Sequence, residues 1–405
     1  MGRFLRLSLY FVLLLVFAFG LEFFWTAGQL RRIDDNFVGR CTAVPGVTGA
    51  EDITIHPKTR IAYVSAYDRG AEARGGSVKA GIYAYDLKAR KPELRNLTPD
   101  APPTFRPHGL SLWLGGKGER DLLFAINHPE GRHEVQIFEI APKGLVLRET
   151  IADPLIAHPN DLVAVGPRSF YVTNDLSRDF GTLGGKLEVF LRLPYSDVVY
   201  FDGSTARSAA DNIAYPNGIN ISRDGRTIFV ASLLMKQINV YDRDAASGDL
   251  VAREVINVDG NPDNVELDAQ GNLWVGAHPQ LVSLFVHSKE AAGQKLPLVR
   301  LLVSTVQPLS VRGGAALAPS QILRISAQKE DECRPVPSGL GRVMRALGFE
   351  QRVGSCYTTQ AVYQNRGNEI AGASVAAVNE SRMLIGTVFD DHILDCKPST
   401  VGGWG

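Results

Sequence analysis

The chain has 405 residues, with 43 Lys and Arg balanced against 43 Asp and Glu, eight His and four Cys. Zero net charge argues against a nucleic-acid binder, which carries a basic excess, and 45% apolar with 21% charged residues argues against global disorder. Forty Gly and 22 Pro point to many turns rather than long helices, and a length that suggests two or three domains also suits one long repeat fold.

Residues Leu7 to Ala27 are almost continuously apolar, broken by Ser8, Glu22 and Thr26, with Arg3 and Arg6 before them and Arg31 and Arg32 after. About 20 such residues suffice for one bilayer span. Two readings stand: an uncleaved anchor, or a secretory signal cleaved near Ala18-Phe19-Gly20. Basic residues on both flanks leave the positive-inside rule undecided, and Glu22 disfavours a span because a carboxylate in hydrocarbon is costly. Either reading sets residues 1–32 apart from 33–405 and places the latter outside the cytoplasm, membrane-anchored or secreted. The cysteines agree with an oxidising compartment. A Cys41–Cys396 bridge would close a circular fold, and Cys333 with Cys356 would close a local loop. Pairing does not follow from spacing, and four unpaired buried thiols are the alternative.

From residue 50 onward one pattern recurs: a polar residue or pair, an alternating apolar strand, a turn, then a strongly apolar strand. The copies are EDITIHPKTRIAYVSA from Glu51, HGLSLWLGGKGERDLLFAIN from His108, NDLVAVGPRSFYVTN from Asn160, NGINISRDGRTIFVAS from Asn217 and DNVELDAQGNLWVGA from Asp263, with a degenerate ASVAAVNESRMLIGTVF from Ala373. The turns Asp224-Gly225 and Gln270-Gly271 suit tight hairpins that need positive φ. Repeats of about 50 residues, each with several strands, predict a β-propeller. Six copies predict six blades around a central tunnel: an all-β fold preceded by an N-terminal hydrophobic helix. The long gap before the sixth copy is read as an insertion over about 328–360, bracketed by Cys333 and Cys356, with a short helix at MRALGF.

In a propeller, equivalent repeat positions meet around the axis. The start of each copy supplies Glu51-Asp52, His108, Asn160-Asp161, Asn217 and Asp263-Asn264, with only Ala373 or Ser374 from the sixth. Asn and Asp are ordinary turn residues; their recurrence in one phase is what points to a ring. Oxygen donors with several negative charges suit a hard cation, Ca2+ before Mg2+, and the scarcity of Cys and His excludes zinc. His108 shares the ring phase, and His128 ends the second strand of the same repeat, so a hairpin can return it to His108. A neutral His beside a metal-held carbonyl is what water activation requires. His278 follows the fifth repeat as a candidate for the mouth, whereas His56, His133, His158, His287 and His392 carry no phase argument. No nucleophile elbow, P-loop, HExxH or dinucleotide fingerprint is present.

The motifs PHGLSL, NHPEG, NDLVAVGPRSFYVTND, NGINISRDG, PDNVELD, GNLWVGAHP and LIGTVF, in this order, resemble the paraoxonase/arylesterase family of calcium-dependent hydrolases over nearly the whole chain after residue 40. The resemblance implies a six-bladed propeller with two calcium ions in its tunnel. It implies a catalytic calcium on Glu51, Asn160, Asn217, Asp263 and Asn264, and a deeper structural calcium on Asp52, Asp161 and the Leu110 carbonyl. It implies His108 and His128 as the catalytic dyad, Cys41–Cys396 as a ring-closing disulfide, and a retained N-terminal anchor. The chain departs from the pattern in the Cys333–Cys356 insertion, in Ala277 where the family has a cysteine, in a longer tail, and in the loop AYDRGAEARGGSVKAG after Ser65. The expected activity is calcium-dependent hydrolysis of small-molecule esters and lactones, with organophosphate triesters as side substrates. Calcium polarises the carbonyl, His108 and His128 activate water, and Asp263 is the alternative base. The competing readings are a sugar lactonase of the gluconolactonase type and a non-catalytic propeller that binds a partner. The expected partners are the substrate and, through the N-terminal helix, a membrane.

Overall fold

The second strand of each copy is rich in β-branched and aromatic residues, which fit a pleated surface packed on both faces. In the computed structural model, which describes residues 3–305, 307–328 and 356–399, Phe170–Asn174 and Thr227–Ser232 are buried along their whole length. The strands form six four-stranded antiparallel sheets, the six predicted blades. Their inner strands are Ala50–Ile55, Pro107–Trp113, Pro159–Ala164, Pro216–Ile221, Asn261–Leu267 and Ala373–Asn379. Gly225 and Gly271 take positive φ at the predicted turns. Apolar side chains from adjoining blades make the core: Phe124 and Phe170 meet edge-on at 6.1 Å and Phe170 stacks on Phe201 at 5.2 Å.

The ring is closed by strand exchange. Gly39–Pro45 pairs with His392–Pro398, so the start of the chain supplies the outermost strand of the last blade. Cys41 lies directly across from Cys396, and the two form the expected disulfide. Cys333 lies outside the described residues, as do 329–355 of the insertion, including the expected helix at MRALGF; the expected Cys333–Cys356 pairing falls there too. That segment joins the third and fourth strands of blade five, Ser320–Ala327 and Tyr357–Asn365.

Among the described residues five helices accompany the blades: α1 (Arg3–Thr26), α2 (Arg69–Ala73), α3 (Leu183–Phe190), α4 (Leu281–Ala291) and α5 (Pro297–Val303). The stretch Arg6–Thr26 of α1 is long and apolar enough to cross a membrane, which fits a signal anchor and a signal peptide alike. Its C-terminal end rests on the propeller: Phe23 and Phe24 pack with Val282 and Val286 of α4, and Glu22 pairs with Arg192 at 2.5 Å. That contact gives the charge inside the apolar stretch a partner.

Candidate functional site

All six inner strands break register at one place. Between Ala50 and Asp52, Pro107 and Leu110, Pro159 and Leu162, Pro216 and Ile219, Pro262 and Val265, and Ala373 and Val375, the inner strand holds one residue more than its partner. A bulge leaves its extra residue unpaired and re-aims side chains. The residues so placed are Glu51, His108, Asn160 with Asp161, Asn217, Asp263 with Asn264, and Ser374. The sequence phase therefore corresponds to a ring of six bulges. Neighbouring inner strands come very close here: a Cβ on Gly109 would lie 2.5 Å from Asp161 Oδ1, and one on Gly218 would lie 2.5 Å from the Asp263 carbonyl oxygen.

The ring residues divide into two sets by their hydrogen bonds. Asp52 and Asp161 accept from a backbone amide on each carboxylate oxygen. Each accepts from the following residue, Ile53 or Leu162 at 2.8 Å, and from the equivalent residue one blade on, Leu110 at 2.6 Å or Ile219 at 2.8 Å. Burial pushes both carboxyls well above the usual range, and charge repulsion adds to it, from Glu51 on Asp52 and from Asp52 on Asp161. The other set lacks partners. Five side-chain oxygens among the described residues are buried without a hydrogen bond, and four of them are Glu51 Oε2, Asn160 Oδ1, Asn217 Oδ1 and Asn264 Oδ1. Glu51 is held in place by Asn264 Nδ2, which donates to Oε1 at 2.8 Å, and by Ser374 Oγ, which donates to its backbone carbonyl at 2.6 Å. Burial opposes the Glu51 charge, but His108 and Arg69 outweigh it and hold the carboxyl below its ordinary value.

A second ring forms where the second strands end. His128 follows Leu122–Asn127 and puts Nε2 2.9 Å from His108 Nδ1. Asp175 follows Phe170–Asn174 and accepts from Asn160 Nδ2 at 3.3 Å. His278 ends Leu273–His278 and meets Asp263 Oδ2 at 2.7 Å. Each second-ring residue thus props a first-ring residue. Tyr215 stands at positive φ, and the negative charge of Asp175 together with burial pushes its phenol well up. The histidine contact also extends outward: His128 Nδ1 lies 2.8 Å from His133 Nδ1, and the His133 ring touches that of His158 at 5.6 Å between centroids. Burial holds His128 well below the usual imidazole range, helped by the charges of His108 and His133. On the tunnel side, His108 Nε2 faces Glu51 Oε2 at 3.5 Å.

The structure brings together the predicted His108, His128, Glu51, Asn160, Asn217, Asp263 and Asn264, and beside them Leu110 N donates to Asp52 while Ile219 N donates to Asp161. Four oxygens buried without donors, with the Asp263 carboxylate in the same ring, fit a hard cation by donor chemistry. Among the described residues no three His, Cys, Asp or Glu side chains form a metal-type cluster, because this ring takes most of its donors from amides. Sequence reasoning missed Asp175, Tyr215, Arg69 and His133. Asp175 shares the phase of His128 and His278 at second-strand ends, a signal that a comparison of those ends would have found.

The Arylesterase family model matches residues 38–305. Serum paraoxonase/arylesterase 2 of Homo sapiens is 29% identical over 370 residues, 89% of this chain and 89% of that protein. Serum paraoxonase/arylesterase 1 of Rattus norvegicus is 28% identical over 369 residues, again 89% of each. Among solved structures a luciferin-regenerating enzyme shares the fold, covering 90% of this chain and 97% of that one at a TM-score of 0.50 and 14% identity.

Proposed function

The chain belongs to the arylesterase family, and on that premise we propose that it hydrolyses carboxylic esters and lactones at the tunnel mouth, with Ca2+ as cofactor and two ions in the tunnel. One observation carries the site assignment: four partnerless buried oxygens stand in the same ring as a hydrogen-bonded histidine pair. Glu51, Asn160, Asn217, Asp263 and Asn264 would hold the catalytic ion, and Asp52, Asp161 and the Leu110 carbonyl the deeper structural one. When bound, the upper ion supplies Lewis acidity toward the scissile carbonyl and its developing negative charge.

The protein's part is proton transfer and placement. A neutral His128 has one N–H, so the direction of the histidine chain is set once one bond is chosen. In the productive direction His108 Nδ1–H donates to His128 Nε2, and His128 Nδ1–H donates to His133 Nδ1. The His108 Nε2 lone pair then faces the tunnel. It takes a proton from the water whose oxygen attacks the acyl carbon. The acyl–oxygen bond breaks as the alkoxide leaves with the remaining proton of the attacking water, giving carboxylate and alcohol, and the proton on His108 passes along His128 to His133. Asp263, tied to His278, is the alternative base. A scaffold that only binds a partner has no need of this chain.

The apolar helix would anchor the propeller on the extracytoplasmic side of a membrane. The test is a panel of phenyl acetate, aliphatic lactones and sugar lactones, with and without EGTA, together with His108→Gln. Expected are loss of turnover on chelation, and a kcat reduced by roughly 100-fold or more in His108→Gln while bound calcium is retained. Full activity after thorough chelation refutes the metal assignment, and an unchanged lactone rate removes His108 from the chemistry.

A further inference from the structure

The loop after Ser65, where the chain departs from its family's pattern, carries Arg69. Its Nη1 and Nη2 are both buried and have no hydrogen-bond partner. A guanidinium presents five donors and stays charged, so burying two of its nitrogens without an acceptor is among the costlier arrangements a protein can keep. The nearby acids are engaged elsewhere: Asp68 Oδ1 caps α2 by accepting from Ala71 N at 2.7 Å, and Glu72 Oε1 takes Arg106 Nε at 2.6 Å. Glu51 Oε2 is itself partnerless, so it does not pair with Arg69 either.

The position of Arg69 is built rather than incidental. Ala66 pairs with Ala50, the neighbour of Glu51, so the chain leaves the second strand of blade one at the ring. Its guanidinium lies 3.9 Å from the Tyr67 ring centroid, which sets its plane. Its charge is felt at both the Glu51 carboxylate and the His128 ring. By register Tyr67 holds in blade one the place that His128 and Asp175 hold in blades two and three, and Arg69 follows two residues later.

We propose that Arg69 is a specificity-determining residue that receives a carboxylate on the substrate, so that the preferred substrates are esters or lactones bearing a negatively charged group beyond the scissile bond. A planar guanidinium fork matches the two oxygens of a carboxylate, which a lysine does not reproduce. The inference rests on the ester-hydrolase reading for the reaction but not for the binding.

The test pairs 4-nitrophenyl hydrogen glutarate with neutral 4-nitrophenyl valerate, and their unhydrolysed amide analogues, glutaranilic acid and valeranilide, by isothermal titration at fixed calcium. The wild type is expected to prefer the anionic ester in kcat/KM, and the anionic amide in Kd, by at least tenfold. In Arg69→Met both ratios fall at least tenfold, and in Arg69→Lys they fall part of the way. No preference in the wild type, or a preference that persists in Arg69→Met, overturns the proposal. The wild-type ratios decide it even if a variant fails to fold. A binding preference without turnover of either ester upholds this inference and refutes the hydrolase reading.

Discussion

Replacing Asn217 with Leu tests the ring where its reasoning is sharpest, because the sign of the effect should depend on calcium. Asn217 is buried, and its Oδ1 has no hydrogen-bond partner. Its backbone carbonyl accepts from Thr173 Oγ1 at 2.7 Å, and that bond survives the substitution. Leucine is close to asparagine in shape, so the metal-free protein sheds an unsatisfied acceptor, which costs about 1–3 kcal/mol when buried. In EGTA the variant is therefore expected to be as stable as the wild type, or more stable by up to that amount. With calcium the balance reverses. A ligand at 100 times its Kd stabilises by about 2.7 kcal/mol, and a variant whose affinity falls ~100-fold keeps only about 0.4 kcal/mol of it. At about 2.1 cal/mol/K per residue, a chain of 405 residues loses about 1 °C per 0.9 kcal/mol. Calorimetry should thus show Asn217→Leu melting level with wild type or up to about 4 °C higher in EGTA, and losing most of any advantage or falling below wild type in calcium. An equal loss of stability with and without calcium would refute the assignment of Oδ1 as a ligand.

The remaining expectations concern the clasp and the histidine chain. Joining residues 355 apart, the Cys41–Cys396 bridge contributes at most roughly 6 kcal/mol in the chain-entropy model. Replacing both cysteines with serine should lower Tm by up to about 7 °C while leaving kcat in place, and an unchanged Tm would show that strand pairing alone closes the ring. His133→Ala should lower kcat by roughly tenfold at constant KM, less than the roughly 100-fold or more expected for losing the base itself, with recovery when imidazole is added to the buffer. A loss that imidazole does not restore would make His133 a packing residue.

How far the site could be read from the chain follows from what repeats and what does not. Glu51, Asn160, Asn217 and Asp263 announce themselves because each opens an inner strand at one phase, and phase survives wherever blades are equivalent. The bulges that aim them do not show, because one extra residue at a strand's start leaves the alternation after it intact. Asp52 and Asp161 show what phase leaves out: each also accepts from the amide of the next blade, a contact that exists only once the ring closes. His128 and His278 were visible as second-strand ends, and Asp175 lay in the same register unread.

Arg69 and His133 have no equivalents in other blades. Arg69 belongs to a loop peculiar to blade one, and its lack of a partner appears only after every nearby acid has been assigned. His133 follows the turn Pro129-Glu130-Gly131, and only the fold of that loop brings its Nδ1 to His128. Repetition thus exposes what the blades share, the ring of polar side chains and the strands that carry it. What sets this chain's substrate choice and proton exit lies in the segments that do not repeat.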